Sequence, residues 1–134
     1  MIVDTQYLGA LADGDDAARE KARELDDSDV PTRVPTAVVW EAYTGVGQVA
    51  TPAKAGRIRE NSERLVSGRP TVDLTPHIAR RVGQLRGTHQ CSDTLPNLDG
   101  VDSLVAAHGL VRDEPVASND TDFERVDGLN VVTY

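Results

Sequence analysis

Short apolar runs alternate with longer helical stretches along the whole chain, and this alternation restricts the fold more than any other feature. Strand-like runs occur at residues 2–3, 30–35, 69–74, 115–118 and 129–134. Between them, apolar residues recur at helical spacing, and turn residues mark the boundaries. Strands that alternate with helices form a largely parallel sheet covered on both faces. The sequence therefore predicts an α/β fold with about five strands.

The segments between these strands predict six helices and one long polar loop. The 134 residues suit a single domain spanning 1–134. The loop is expected at 87–98, where polar residues show no periodicity. The predicted helices cover residues 5–12, 15–27, 36–47, 52–67, 76–85 and 99–108.

The charge balance is strongly acidic. Asp and Glu total 22 against 14 Lys and Arg, which gives a net charge of −8, and only Lys21 and Lys54 are lysines. This composition is typical of a cytoplasmic protein from a salt-adapted organism of the haloarchaeal type. No apolar run is long enough to cross a membrane, and the single Cys91 suits a reducing compartment. A net negative chain binds a polyanion such as RNA only if local chemistry opposes the overall charge.

Four acidic residues occupy positions where an α/β fold brings side chains together. Asp4 follows the first strand, and Asp120 comes just after the fourth. Asp102 lies in the first turn of its helix, and Glu41 lies within the helix after the second strand. Ligands of open parallel sheets bind beyond the carboxyl ends of the strands. We therefore expect these carboxylates to converge on one crevice.

Convergent carboxylates repel one another, and a divalent cation removes that conflict. A set of oxygen ligands without histidine or cysteine favours Mg²⁺ or Mn²⁺ over zinc. Such an ion activates water and stabilises charge on a phosphoryl oxygen, and it supplies positive charge where a phosphate must approach. The acids alone leave the ordinary alternative open, because most Asp residues in an acidic chain are solvated surface charges.

The residues around each acid resemble the motifs of the PIN-domain family. The segment MIVDTQYL is similar to the family's first strand, which ends in Asp–Thr, and TAVVWEAYTGVG to the helix that supplies its glutamate. GVDSLVAAHGL is similar to its Asp-x-x-[Ile/Val]-Ala-Ala helix, and VASNDTDFERVDGLNVV to its last strands and the acidic turn between them. The four segments occur in the family's order. One departure is Gln6, where asparagine or serine is commoner.

The resemblance implies a VapC-like toxin ribonuclease, one half of a toxin–antitoxin pair. It implies that four acids bind the metal directly or through water: Asp4, Glu41, Asp102 and Asp120. Hydroxyl groups at Thr5 and Ser118 would orient these acids. Asp99 is one helical turn before Asp102, so it either caps the helix or helps hold a second metal. The implied partners are an RNA substrate, a VapB-like antitoxin and a second copy of the chain, with no membrane.

Other residues have two interpretations each. Arg80, Arg81 and Arg86 form either a basic rim that holds the RNA backbone or an ordinary solvated helix face. Trp40 and Tyr43 are three residues apart on one helix face, which suits the core or a dimer interface better than a platform for stacking nucleobases. The histidines lack the spacing of a metal site.

Four alternatives compete with the toxin nuclease. A haloacid-dehalogenase-like phosphatase also begins with an Asp after a strand, but it needs a second Asp where this chain has Gln6. A receiver domain needs adjacent acids and a lysine that are not evident. The remaining alternatives within the family are a PIN-like module that binds RNA or protein without catalysis, and a nuclease of housekeeping RNA processing.

Overall fold

The computed structural model describes all residues, 1–134, and has the predicted α/β fold. Six helices alternate with five very short parallel strands. The strands are β1 (Ile2–Val3), β2 (Val34–Pro35), β3 (Thr71–Val72), β4 (Val116–Ala117) and β5 (Val131–Val132). The helices are α1 (Thr5–Asp13), α2 (Asp16–Asp27), α3 (Thr36–Gln48), α4 (Pro52–Ser67), α5 (Pro76–Gln90) and α6 (Gly100–Arg112). A 3₁₀ turn, Phe123–Arg125, separates β4 from β5.

The sheet is built in two parts that meet at β1. One part has the order β1-β4-β5 and the other pairs β2 with β3, all in parallel. A parallel bridge between Ile2 and Arg33 joins them, with the Val3 N–H donating to the Arg33 carbonyl at 3.1 Å. The strand order across the molecule is therefore β3-β2-β1-β4-β5. The chain reverses direction across the sheet beside β1, so the carboxyl ends of β1 and β4 border the crevice expected to bind a ligand.

Helices cover both faces of this sheet. Successive residues of a strand face opposite sides, and both residues of β1, Ile2 and Val3, have no exposed surface. The same holds for both residues of β4. Helix α6 packs closely on the sheet at Gly109, where an added Cβ would lie 2.6 Å from Leu129 Cδ1. This close approach sets the position of α6, and with it the position of Asp102.

Several predicted boundaries differ from the structure. The strands are shorter than predicted, since only the residues that pair with a neighbour count as strand. Helix α5 continues to Gln90, so the loop predicted from residue 87 was wrong at its start. The Thr88 hydroxyl donates to the Gln84 carbonyl within the helix, and the Nδ1 of buried His89 lies 2.8 Å from the Pro96 carbonyl oxygen. These two hydrogen bonds support the last turn, although its other residues are exposed.

Two large aromatic residues lie on the surface. Trp40 is 64% exposed and Tyr43 is 40% exposed, so the core alternative for these residues was wrong. Helix α3 buries a different face, through Ala37, Val38 and Val46. No helix of the structure has the length and apolar character needed to span a membrane.

Candidate metal centre

Asp4 is a buried carboxylate held in a fixed orientation. It caps the N-terminus of α1, where its Oδ1 accepts a hydrogen bond from the Tyr7 backbone N–H at 2.6 Å. Its Oδ2 accepts a hydrogen bond from the Ser118 hydroxyl at 2.5 Å, and the residue is only 3% exposed. Burial raises the pKa of Asp4, the bonds from Ser118 and Tyr7 oppose that rise, and the charge of Asp120 adds to it.

Ser118 connects Asp4 to Asp120. The register of β1 on β4 places Val3 opposite Ala117, so the residues that follow these two lie side by side at the edge of the sheet. The Ser118 hydroxyl donates to Asp4 and accepts a hydrogen bond from the Asp120 backbone N–H at 3.0 Å. One buried hydroxyl therefore orients both acids at the carboxyl ends of the strands.

Glu41 reaches the same region from helix α3. The Thr5 hydroxyl donates a hydrogen bond to Oε2 of Glu41, and both residues are half-buried. Thr5 directly follows Asp4 in the chain, at the start of α1. Two adjacent residues at the end of β1 thus supply one acid and the hydroxyl group that fixes another.

Asp102 receives the charges of all the other acids. Burial is the main reason that its pKa rises to about 7, and the charges of Asp99, Asp120, Glu41 and Asp4 each raise it further, in that order. No Arg or Lys is among the groups that shift the pKa of Asp102. The site is therefore a focus of negative potential that the protein's own cations do not neutralise.

The chemistry of this donor set fits a hard divalent cation, because all its ligands are carboxylate oxygens with uncompensated charge. The side chains do not yet surround one point: nowhere do three His, Cys, Asp or Glu residues gather closely enough to hold an ion. Cation binding would require the half-buried side chains of Glu41, Asp102 and Asp120 to move inward.

Asp99 caps helix α6. Its Oδ1 accepts a hydrogen bond from the Asp102 backbone N–H at 2.8 Å, and the residue is exposed. It is also the first charge to raise the pKa of Asp102 after burial. The cap is therefore present in the structure, while a role in holding a second metal stays a prediction.

The predicted basic rim lies on helix α5, which packs against α6. Arg80 and Arg86 are exposed and Arg81 is half-buried, and none of the three forms an ion pair. Their guanidinium groups are available to a ligand, but they do not shift the pKa of Asp102.

Sequence reasoning missed Tyr134, which lies beside the acids. Its ring centroid is 4.9 Å from that of Tyr7, and both its backbone N–H and its carbonyl bond the Asn119 side chain. Burial raises the pKa of Tyr134 to about 12, with the charge of Asp4 adding to the effect. No local pattern in the sequence indicates this placement, because it depends on the path of the chain after β5.

The fold and site together define a class: a small α/β domain with acids at the carboxyl ends of its parallel strands. The family model for the PIN domain matches residues 1–129. The chain therefore belongs to the PIN-domain family. No curated protein matches the sequence.

Solved structures with this fold include chains of toxin–antitoxin complexes. A VapBC complex from Rickettsia felis, bound to a promoter DNA fragment, is similar at a TM-score of 0.84 and 16% identity, covering 98% of this chain and 96% of that one. A DNA-bound VapBC complex from Salmonella typhimurium is similar at a TM-score of 0.78 and 19% identity, covering 98% of this chain and 96% of that one. A toxin–antitoxin complex from Klebsiella pneumoniae is similar at a TM-score of 0.73 and 20% identity, covering 98% of this chain and 95% of that one. At these identities the likeness shows the fold alone, and it gives no support to a haloarchaeal origin.

Proposed function

We propose that this chain is a metal-dependent endoribonuclease, a VapC-like toxin that hydrolyses RNA phosphodiester bonds. The observation that carries the proposal is the convergence of negative charge on Asp102 from Asp4, Glu41 and Asp120 without a compensating cation. Membership of the PIN-domain family gives this acidic centre its functional context.

In this mechanism Asp4, Glu41, Asp102 and Asp120 hold Mg²⁺ or Mn²⁺, directly or through water. A bound ion of this kind lowers the pKa of a coordinated water and stabilises charge on the phosphoryl oxygens. Ser118 keeps its hydrogen bond to Asp4 and holds that acid in place, whereas the Glu41 carboxylate would move inward from its position beside the Thr5 hydroxyl. No nucleophilic side chain is required, and no covalent intermediate forms on the protein.

The overall charge of −8 opposes RNA binding, so the attraction must be local. Two sources supply it in this proposal: the metal at the acidic centre, and Arg80, Arg81 and Arg86 on α5. Since α5 packs against α6, the rim lies on the helix next to the one that carries Asp102.

An antitoxin is the proposed protein partner. An apolar groove of about 270 Å³ lies between α1, α3 and α4, with Leu8, Val38 and Leu65 in its walls. Thr5 lines the end of this groove and bonds Glu41, so a segment seated there would adjoin the acidic centre. The matched chains come from complexes described as toxin–antitoxin or VapBC, which supports an occupant of that kind.

A homodimer is also part of the proposal. Exposed Trp40 and Tyr43 on α3 give this face a large apolar area, and Tyr43 has only one polar contact, from its hydroxyl to Glu63 at 3.2 Å. Sedimentation of the wild type should give a dimer that Trp40→Ala shifts toward monomer. A monomeric wild type at micromolar concentration would reject this part of the proposal.

The test of the nuclease is cleavage of RNA in the presence of Mn²⁺. Wild-type protein should cut single-stranded RNA with Mn²⁺ and stop on addition of EDTA, and Asp4→Asn should lose at least about a hundredfold in rate, since a misplaced ligand costs several kcal/mol of transition-state stabilisation. Asp27→Asn makes the same chemical change at the exposed end of α2 and is the matched control. Unchanged cleavage by Asp4→Asn would contradict the mechanism.

One observation favours the alternative of a binding module without catalysis. The acids do not surround a common point in the structure. Such a module would bind RNA or a protein partner equally well in wild type and Asp4→Asn and would cleave in neither. The same cleavage assay, paired with a binding measurement, separates the two functions.

A further inference from the structure

A polar depression lies outside the acidic centre, between helix α5, Leu95 in the loop that follows it, and the end of the 3₁₀ turn at Arg125 and Asp127. It has a volume of about 240 Å³, and its polar walls include Arg81, Gln84, His89 and Arg125. Arg81, Gln84 and Thr88 are spaced at helical intervals on one face of α5. The acidic-centre mechanism uses none of these residues except Arg81, which was assigned to a general basic rim.

The two arginines have guanidinium donors that the protein leaves largely without hydrogen-bond partners. Arg81 forms no hydrogen bond or ion pair, and Arg125 makes a single bond, from Nη2 to the Thr94 carbonyl at 3.3 Å. Neither pairs with Asp127, the one acid among the lining residues. Cations therefore outnumber acids here by two to one, in a chain with a net charge of −8.

His89 fixes one wall of the depression. The residue is only 3% exposed, and its Nδ1 lies 2.8 Å from the Pro96 carbonyl oxygen. A carbonyl oxygen only accepts, so Nδ1 donates the proton and ties α5 to the segment at Pro96. The donors that a phosphate needs therefore come from the two arginines and Gln84.

We propose that this depression is a phosphate-binding subsite that holds a backbone phosphate of the bound RNA. Arg81 and Arg125 would grip the phosphate oxygens, because a guanidinium fork matches their geometry, and the Gln84 amide adds a neutral donor. Asp122 and Glu124 lie near Arg125 in the neighbouring depression. Their negative charges oppose the attraction of a distant phosphate, so the arginines bind a phosphate through direct contact rather than by steering it from a distance. This inference rests on the proposed function, in which RNA is the substrate.

The subsite lies close enough to the acidic centre for one strand to reach both. Arg125 is five residues after Asp120, and the segment between them is tightened by the 3₁₀ turn. Even fully extended, five residues span at most about 18 Å. At a stacked rise of about 3.4 Å, this distance corresponds to no more than about five nucleotides.

The test is direct binding of a fluorescently labelled twelve-nucleotide single-stranded RNA, followed by anisotropy with EDTA present so that the RNA stays intact. The double variant Arg81→Gln/Arg125→Gln should weaken the Kd about tenfold, as expected when charge-assisted hydrogen bonds are removed. Its log Kd should also depend less steeply on log salt, by about 0.7 for each phosphate that the variant no longer binds. The double variant Arg57→Gln/Arg59→Gln, at two exposed positions of α4 outside the depression, is the charge-matched control.

If Arg81→Gln/Arg125→Gln binds RNA as tightly as Arg57→Gln/Arg59→Gln, the proposal is overturned, and equal salt slopes in the two proteins would overturn it as well. Arg81→Gln alone removes no hydrogen bond within the protein, so we expect this variant to fold normally. Weaker RNA binding by it then reports the lost contact and not a folding defect.

Inorganic phosphate separates a subsite for RNA from a site for the free anion. Phosphate should shift the NMR signal of the Arg81 side chain and compete with the oligonucleotide. Phosphate binding without any effect of the variants on RNA affinity would assign the site to a free anion and overturn the RNA assignment. Cleavage is measured separately: weakened binding in a protein that never cleaves supports the subsite and rejects the nuclease, whereas normal binding in an active nuclease rejects only the subsite.

Discussion

The Ser118 hydroxyl donates to Oδ2 of Asp4 at 2.5 Å, across 114 residues of sequence, and it ties the ends of two neighbouring strands together. It also accepts the backbone N–H of Asp120, so a single side chain contacts both of these acids. The acidic centre is therefore supported by the strand register itself rather than by mobile loops.

Ser118→Ala should lower both stability and activity. Removing the hydroxyl leaves a buried oxygen of Asp4 and the N–H of Asp120 without their partner, which costs about 1–3 kcal/mol. We expect a matching loss in the free energy of unfolding by urea and at least a tenfold lower rate of RNA cleavage. Ser67→Ala, which removes only an exposed bond to the Arg64 carbonyl, is the control. Equal stability of the two variants would show that the bond from Ser118 to Asp4 contributes nothing.

Two variants of Asp99 distinguish a role in capping helix α6 from a role in metal binding. Asp99→Asn keeps an oxygen that accepts the Asp102 N–H, whereas Asp99→Ala removes the cap and should cost about 1 kcal/mol of unfolding free energy. If Asp99 only caps the helix, Asp99→Asn should retain cleavage within about twofold at saturating Mn²⁺. A loss of more than about tenfold in Asp99→Asn, with stability intact, would instead place the residue at a second metal.

The pKa of Asp102, raised from 3.8 to about 7, predicts an unusual dependence of stability on pH. The folded state binds a proton that the unfolded state has released, so without metal the protein should lose stability as pH rises from about 4 to 7. The loss should be about 1 kcal/mol after allowance for the partial exposure of this side chain. Asp102→Asn should reduce this slope, and the part that remains comes from Asp4, whose pKa is also raised.

The same proton competes with the metal. Below pH 7, Mn²⁺ affinity should fall as the Asp102 carboxyl becomes protonated, up to about tenfold per pH unit. Calorimetric titrations with Mn²⁺ at pH 5.5, 6.5 and 7.5 measure the effect. Affinity that does not change over this range would contradict metal binding by an Asp102 whose pKa lies near 7.

The sequence predicts the α/β class and the order of elements because both depend on local patterns. The end of β1 at Asp4 follows from one apolar run and the residue after it, whereas the capping of α1 by Asp4 was not predicted. The exposure of Trp40 could not be predicted from the sequence. Helix α3 carries apolar residues on more than one face, and only packing decides which face is buried. The depression at Arg81 and Arg125 joins residues 44 positions apart, and no local pattern pairs them.

Salt adaptation remains a prediction from composition alone. Repulsion among the 22 acids should be screened by salt, so the melting temperature should rise by about 3 °C or more between 0.1 and 2 M KCl, or roughly 1 kcal/mol. Scanning calorimetry measures this melting temperature. KCl is used because sulfate salts also stabilise proteins by being excluded from their surface, an effect that is smaller for chloride. A melting temperature that is flat or falls with KCl would remove the salt-adapted interpretation.

In the proposed mechanism, four carboxylates from distant parts of the chain bind one kind of ion together. Electron paramagnetic resonance of Mn²⁺ counts the bound ions and measures their affinity without relying on activity. We predict saturable binding by the wild type, weakened at least tenfold in Asp4→Asn, Glu41→Gln, Asp102→Asn and Asp120→Asn alike, and unchanged in Asp27→Asn. Binding that is absent from the wild type, or equally strong in all five variants, would contradict this mechanism.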